Sequence, residues 1–126
     1  MGFLNNAGIG LIQKNLDAVW LRKETIANNI ANNETPGYKS KYVEFEQQLK
    51  NALNRSVSKD SLQKELENIK PKILQNDNTT AKEDGNNVDL DAENIEMART
   101  QLQYEYLIRV LNTQMNNIKY AINGGK

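Results

Sequence analysis

Apolar residues recur at steps of three and four positions near the start of the chain. This spacing predicts an amphipathic helix from about residue 6 to residue 33, close to a heptad pattern and with Lys23 at one of the apolar positions. Pro36 disfavours α geometry at the residue before it, and Gly37 permits a positive φ, so the helix is expected to end there. The row consists of Ile9, Ile12, Leu16, Val19, Ile26 and Ile30.

A second apolar row predicts a helix of about 30 residues near the C-terminus. Asp91 is the predicted N-cap, and Glu93 in the first turn suits the positive end of the helix dipole. The pair Asn123-Gly124 is typical of a helix C-terminus. The row repeats mostly at heptad steps, with Gln101 at one position, and consists of Met97, Tyr104, Ile108, Leu111, Met115, Ile118 and Ile122.

The middle of the chain is more polar and its pattern is weaker. Residues 38–41 are predicted to be extended, and residues 42–54 carry apolar positions at helical spacing. Ser61 is a candidate cap for a further short helix. Residues 72–75 favour a short strand, and residues 76–87 favour a loop because they hold few apolar side chains.

Neither long helix can bury its apolar row alone, so the predicted fold is all-α, with the two helices paired as an antiparallel coiled-coil hairpin. One structural unit is expected, in three parts: residues 1–39, a middle segment 40–90 with a short helix and a linker, and a C-terminal helix 91–126. A hairpin buries only one seam, so the remaining apolar surface predicts a subunit of a larger assembly. The expected seam residues are Ile12, Leu16, Val19, Ile26, Tyr104, Ile108, Leu111, Met115 and Ile118.

The amino-acid composition excludes several classes of function and of binding site. The 126 residues hold sixteen Lys and Arg against sixteen Asp and Glu, and a net charge of zero argues against nucleic-acid binding. His and Cys are both absent, which removes the usual zinc and haem ligands, Cys or Ser–His nucleophiles and disulfides. We therefore predict no enzyme and no catalytic, cofactor-binding or metal-binding residue. Nor do we see a basic and apolar leader or a run of about 20 apolar residues, so the expectation is a protein without a cleaved signal or membrane insertion.

A dense cluster of asparagines marks the end of the first helix. Residues 27–39 contain four of the nineteen Asn in the chain, then a Pro-Gly turn, then an aromatic and a basic residue. The stretch resembles the N-terminal signature of the flagellar rod and hook family of axial proteins, Ala-Asn-Asn-(Ile/Leu)-Ala-Asn, two variable residues, Thr-Pro-Gly-(Phe/Tyr)-Lys. The residues that carry this assembly signature are Asn28, Asn29, Ile30, Asn32, Thr35, Pro36, Gly37, Tyr38 and Lys39.

The segment before the C-terminal helix resembles the corresponding region of the proximal rod member of that family. We refer to this segment as the pre-helix motif. Its residues are Asp84, Gly85, Asn86, Asn87, Val88 and Asp89.

The resemblance implies a structural subunit of the bacterial flagellar basal-body rod, at its proximal end. Such a subunit polymerises through its terminal helices into a tubular drive shaft that transmits torque and conducts exported subunits. Its implied location is the periplasmic space, reached through the flagellar type III export apparatus. Implied partners are copies of itself, neighbouring rod proteins, that export apparatus and the membrane-ring adapter protein at the rod base. In this hypothesis the terminal helices fold as they assemble, and residues 28–39 form a clasp between subunits.

Two other interpretations remain open from the residues. A soluble coiled-coil adapter or secretion chaperone would carry similar helices but form a discrete, helical dimer in solution. An enzyme that uses carboxylates alone, such as a glycan hydrolase, would need a cleft in a globular core.

Overall fold

The computed structural model describes residues 2–77 and 81–124, with side chains described from residue 8 onward. It is mostly helical, and it adds a two-stranded sheet that the all-α expectation lacked. No helix in the described ranges is both long and apolar enough to cross a membrane. The elements are α1 (Gly2–Ala31), β1 (Lys41–Glu44), α2 (Glu46–Arg55), α3 (Lys59–Asn68), β2 (Lys72–Gln75) and α4 (Leu90–Ile122).

The two long helices pack against each other in opposite directions. Near the middle of α1, the ring of Trp20 lies 6.4 Å from the ring of Tyr104 on α4. Near the end of α1, Asn29 lies beside Glu93 at the start of α4. Contacts therefore run forward along α1 and backward along α4. With 30 and 33 residues, the helices are about 45 and 50 Å long.

A second side of α1 carries the main apolar core. Ala18 of α1 is buried there against side chains of the middle segment, with Leu11, Leu49 and Leu62 around the edge. Burying the ring of Phe45, which is 1% exposed, stabilises this packing by about 1.5–3 kcal/mol. The middle segment is thus a small folded unit seated on α1. Its core residues are Phe45, Ala52, Leu66 and Ile69.

The middle segment differs from the predicted helix over residues 42–54. Residues 41–44 form β1, which pairs antiparallel with β2, and only then does α2 begin at Glu46. The apolar spacing at Tyr42, Phe45 and Leu49 fits a helix equally well. The pairing with residues 72–75, about thirty positions away, determines the outcome because it fixes the backbone of residues 41–44 in the sheet. The predicted strand at 72–75 is present.

Two helix caps lie earlier in the chain than the predicted residues. Asp89, not Asp91, caps α4, and its carboxylate accepts the backbone N–H of Ala92 at 3.1 Å. Ser58, not Ser61, caps α3, and Ser61 completes a reciprocal capping box from the third helical position. In both cases the capping residue is the one whose backbone is extended, which leaves its side chain free to reach the first turn.

Candidate assembly site

The assembly signature forms the C-terminal end of α1 and the turn that follows it. Asn32 donates its side-chain amide to the Asn28 carbonyl at 2.8 Å and accepts the Thr35 hydroxyl at 3.0 Å. Gly37 has φ +74°, a conformation that residues with a Cβ rarely adopt. The asparagine and the glycine together convert the helix into a tight turn that leads towards β1.

Asn29 is the point where α1 holds the first strand. Its side chain is fully buried, and its amide donates to the Lys41 carbonyl at 2.8 Å. The same carboxamide oxygen accepts the Lys41 backbone N–H and the Tyr38 hydroxyl, each at 3.0 Å. A carboxamide both donates and accepts, so this one residue can serve both backbone groups of Lys41.

The pre-helix motif lies directly against the assembly signature, although about fifty residues separate them in sequence. The Asn86 side chain is fully buried and donates to the carbonyls of Asn32 at 2.7 Å and Thr35 at 2.8 Å. Its oxygen accepts the Val88 backbone N–H at 2.8 Å. Asn86 therefore satisfies carbonyls at the end of α1 while it shapes the loop that starts α4.

Backbone contacts complete this junction. The Gly37 N–H donates to the Asp84 carbonyl at 2.9 Å, and the Asn87 N–H donates to the Tyr38 carbonyl at 3.2 Å. Gly85 has φ +86°, and a Cβ built on it would come within 3.4 Å of the Gly37 Cα. The two segments thus meet through two glycines in left-handed geometry.

Lysines and a further asparagine extend the junction. Lys39 donates to the Gly85 carbonyl, and Lys82 donates to the Asn33 carbonyl at 3.0 Å beyond the end of α1. Asn87 accepts the Ser40 backbone N–H at 2.6 Å and donates to the Asn76 carbonyl. Cations near a helix C-terminus favour its dipole. Sequence reasoning did not single out Lys82 or Asn76, because nothing local marks a partner so far along the chain.

Glu93 is a carboxylate at the junction whose charged form is disfavoured by its surroundings. Partial burial and, less strongly, the nearby carboxylates of Glu96 and Asp89 raise the pKa of Glu93 above its ordinary value, although hydrogen bonding to Asn29 acts in the opposite direction. Burial and the charge of Glu93 likewise raise the pKa of the Tyr38 hydroxyl. No group of three acidic side chains that could hold a metal ion occurs in the described part of the chain.

The predicted seam residues are covered to different degrees. Ile12, Val19 and Ile26 are buried, but Met115, predicted in the seam, is 45% exposed. The register set by the contact between Trp20 and Tyr104 places Met115 near the N-terminal end of α1. The remaining predicted seam side chains are half-buried: Leu16, Tyr104, Ile108, Leu111 and Ile118.

Two polar residues take seam positions. Thr100 is 1% exposed, and it lies at helical spacing from Glu93 and Tyr104. This spacing could have placed Thr100 in the seam, but its side chain is polar and so it did not count as part of the apolar row. Lys23 places its ammonium 5.5 Å from the Trp20 ring centre and 5.2 Å from that of Tyr104. This cation–π arrangement shows how a lysine fits an otherwise apolar row.

Comparison with known proteins identifies relatives along nearly the whole chain. Residues 21–39, which include the assembly signature, match the family model described as "Flagella basal body rod protein". Flagellar basal body rod protein FlgB of Bacillus subtilis is 33% identical, over 84% of this chain and 85% of its own length. The protein of the same name from Borrelia hermsii is 32% identical, over 90% and 94% respectively. The one from Escherichia coli is 26% identical, over 95% and 96%.

Proposed function

Because this chain belongs to the FlgB family of flagellar basal body rod proteins, and so is a structural rod subunit rather than an enzyme, we propose that it polymerises through α1 and α4. The polymer is the proximal part of the tubular drive shaft, which transmits torque and conducts exported subunits through its centre. Assembly with other rod proteins in the basal body follows from the family.

An exposed apolar row on α4 carries this proposal. Four large side chains of α4 lie at positions separated by seven, four and fourteen residues, and each is more than 60% exposed. These steps keep them on one face of the helix. Covering apolar side chains in such a row is favourable by about 25 cal/mol for each Å² of apolar surface removed from water. The row consists of Ile95, Leu102, Tyr106 and Tyr120.

In this proposal each subunit has two helical interfaces. One is internal, where α1 and α4 pair as a coiled-coil hairpin through the predicted seam, and the antiparallel packing and the buried Ile12, Val19 and Ile26 support it. The other joins the exposed row of α4 to a neighbouring subunit. Because the second contact requires assembly, the two long helices gain much of their stability when the tube forms.

The assembly signature has a divided role in this proposal. The side chains of Asn29, Asn32 and Lys39 make hydrogen bonds inside the chain. Asn28 and Pro36 are exposed, and the Asn28 carboxamide makes no hydrogen bond among the described residues. We assign the contacts between subunits to these outward-facing members, so that the clasp holds the subunit's own helix ends as well as its neighbour.

Further partners and the location follow from the same proposal. At the proximal position the chain meets copies of itself, the next rod protein and the membrane-ring adapter protein at the rod base. It reaches the periplasmic space through the flagellar type III export apparatus without a cleaved signal. Family membership, with the relatives matched over most of their length, supports this placement.

Isolated hook–basal bodies from the source organism provide the test. Mass spectrometry should detect this chain at a few copies per particle, and immunogold labelling should confine it to the rod base. Deleting the gene should abolish swimming, and the wild-type gene should restore it. Finding the chain only as a stable helical dimer in the cytoplasm would instead support the adapter or chaperone interpretation.

A further inference from the structure

A strip of exposed residues runs along α1. Its members recur at alternating steps of four and three positions, which keeps them on one face of the helix. Two of them are carboxylates, Asp17 and Glu24, and none is a cation; the Trp20 ring, which is 53% exposed, lies between the two. We refer to this acidic face with an aromatic centre as the α1 strip. It consists of Gln13, Asp17, Trp20, Glu24, Ala27 and Ala31.

A groove lies between the α1 strip and α3. Its volume is about 260 Å³, and its lining includes the carboxylates of Asp17 from the strip and Glu67 from α3. Neither carboxylate forms an ion pair within the described residues. Lys14 is the cation of the lining, and its ammonium donates to the Ile69 carbonyl at 3.1 Å. The lining therefore keeps a net negative charge, which suits a cationic side chain from another molecule.

The exposed apolar row of α4 carries such a cation. Arg109 follows Tyr106 by three positions and Leu102 by seven, so it lies on the same face of the helix as the row. Arg109 is exposed and forms no ion pair within the described residues. Glu105 lies at the flank of this face, where the Gln101 side-chain amide donates to it at 3.4 Å. The row thus ends in a guanidinium that is available to a carboxylate outside the subunit.

The cation and the groove lie at the same height along the subunit. The long helices run antiparallel, and Trp20 lies beside Tyr104. Arg109 follows Tyr104 by five positions and is therefore level with a point about five residues before Trp20, close to Asp17. Leu102 is level with Trp20 to within one turn. A second copy that stands beside the first at the same height therefore presents its Trp20 to Leu102 and its groove to Arg109.

The angles of the two faces suit a tube. Trp20 follows the buried Val19 by one position, which places the α1 strip about 100° around the helix from the seam. Leu102 follows the buried Thr100 by two positions, which places the row of α4 about 200° from its seam. Because the two faces do not point in opposite directions, a contact between them turns each copy in the same sense, and the series curves.

We propose that the exposed row of α4 packs against the α1 strip of a second copy of this chain, with Arg109 entering the groove beside Asp17 and Glu67. The opposite charges of the two faces select this occupant, and the Trp20 ring gives Leu102 an apolar partner. The contact joins two different faces, so it repeats from copy to copy. The inference rests on the proposed rod function and names the surface that the row of α4 meets.

Charge reversal at position 109 tests the contact. In a strain that lacks its own copy, we expect Arg109→Glu to lower the amount of chain in basal bodies about tenfold or more, because like charges that face each other across an interface cost at least that factor. Adding Asp17→Lys to Arg109→Glu should restore most of the wild-type amount, since the pair then attracts again with its signs exchanged. Lys50→Glu is the matched control: it makes the same charge change at an exposed residue of α2, outside both faces, and should assemble normally.

These outcomes separate the contact from the rod function. Normal amounts of Arg109→Glu in basal bodies would overturn the contact and leave the rod function standing. A loss that Asp17→Lys does not restore would show that Arg109 acts on something other than the α1 strip of a second copy, and would overturn the contact as well. Absence of the wild-type chain from basal bodies would overturn the rod function itself.

Photocrosslinking identifies the occupant of the α1 strip with Arg109 in place, even if Arg109→Glu fails to fold. A photoreactive phenylalanine at Gln13, an exposed member of the strip that lines the groove, should crosslink to α4 of another copy near Arg109. The same group at Val57, which is 94% exposed between α2 and α3, is the control for surface collisions. A crosslink from position 13 to a different protein, to the α1 strip of another copy, or to nothing would contradict the proposal.

Discussion

Individual asparagines connect distant parts of this backbone. Asn29 joins α1 to β1, and Asn86 joins the end of α1 to the loop before α4. Both side chains are fully buried, and each uses its amide as a donor and its oxygen as an acceptor. An isosteric carboxylate could not donate, and an aliphatic side chain could do neither. The chemistry of the carboxamide therefore explains why asparagine occupies these positions.

Asn86→Asp should destabilise the folded chain by about 2–3 kcal/mol, because the carbonyls of Asn32 and Thr35 lose their donor and face a buried carboxylate. Urea unfolding followed by circular dichroism measures the change. Asn28→Asp is the control: it adds the same charge near the same helix end, at an exposed residue without a side-chain hydrogen bond. Similar losses in both variants would show that charge, and not the hydrogen bonds of Asn86, determines the effect.

Glu93 is expected to lower the stability of the folded chain at neutral pH. Its folded pKa lies above the ordinary value of 4.5, so the folded state holds the proton more tightly than the unfolded state. Stability should therefore fall as the pH rises from 4.5 through the folded pKa, and then stay lower.

Glu93→Gln should raise the midpoint of thermal unfolding at pH 7 and have little effect at pH 4. Glu83→Gln, at an exposed loop position, controls for the change in net charge. If Glu93→Gln unfolds at the same temperature as the wild type at pH 7, the charged Glu93 carboxylate does not destabilise the folded chain, and this prediction is wrong.

At the scale of elements, the junction fixes where the two long helices end and begin. The loop before α4 supplies donors to carbonyls at the end of α1, while Asp89 caps α4 itself. Two glycines with positive φ bring the backbones together at this point. The relative position of the helices is thus determined at one end by polar contacts, and along the seam by apolar ones.

Gly85→Ala should cost about 1–2 kcal/mol of stability, because a Cβ is disfavoured at φ +86°. Gly10→Ala should instead stabilise α1 by about 0.5–1 kcal/mol, since the position is helical and has open space around it. Thermal unfolding of both variants measures the two effects. Opposite signs are expected, and a stabilising Gly85→Ala would show that the loop does not hold its left-handed conformation in solution.

At the scale of the molecule, two other parts of the chain cover α1. The middle segment covers one side and α4 covers another, whereas α4 has only one covered side. The exposed apolar row of α4 has little cover from the described residues. This asymmetry favours a subunit whose fold is completed by its neighbours.

Leu102→Glu should therefore impair assembly while it changes the stability of the isolated chain by no more than about 0.5 kcal/mol, because Leu102 is 67% exposed. Asn112→Glu adds the same charge at an exposed polar position of α4 and should assemble normally. Swimming in soft agar and the yield of rods in each strain provide the measurement. Normal swimming with Leu102→Glu would contradict a role of this row between subunits.

Features that depend on local chemistry can be derived from the amino-acid sequence alone. The two long helices follow from apolar spacing, and the end of α1 follows from a proline and a glycine whose backbone preferences act on adjacent residues. The strand at 72–75 was also predictable, as was the irregular backbone of residues 76–77 and 81–87; the rest of the predicted loop, residues 78–80, lies outside the described residues. The assembly signature indicated the family because so many of its positions are fixed relative to each other.

Only the tertiary structure determined the features that depend on distant partners. Residues 41–44 became a strand because β2 and Asn29 provide hydrogen bonds from elsewhere in the chain. The contact between Asn86 and Asn32 spans 54 positions, and no local pattern marks it. Local backbone preferences depend on neighbouring residues and can be predicted from them. A buried polar side chain instead depends on a partner that only the folded chain brings close. The hydrogen bonds of the junction could therefore be identified only from the structure.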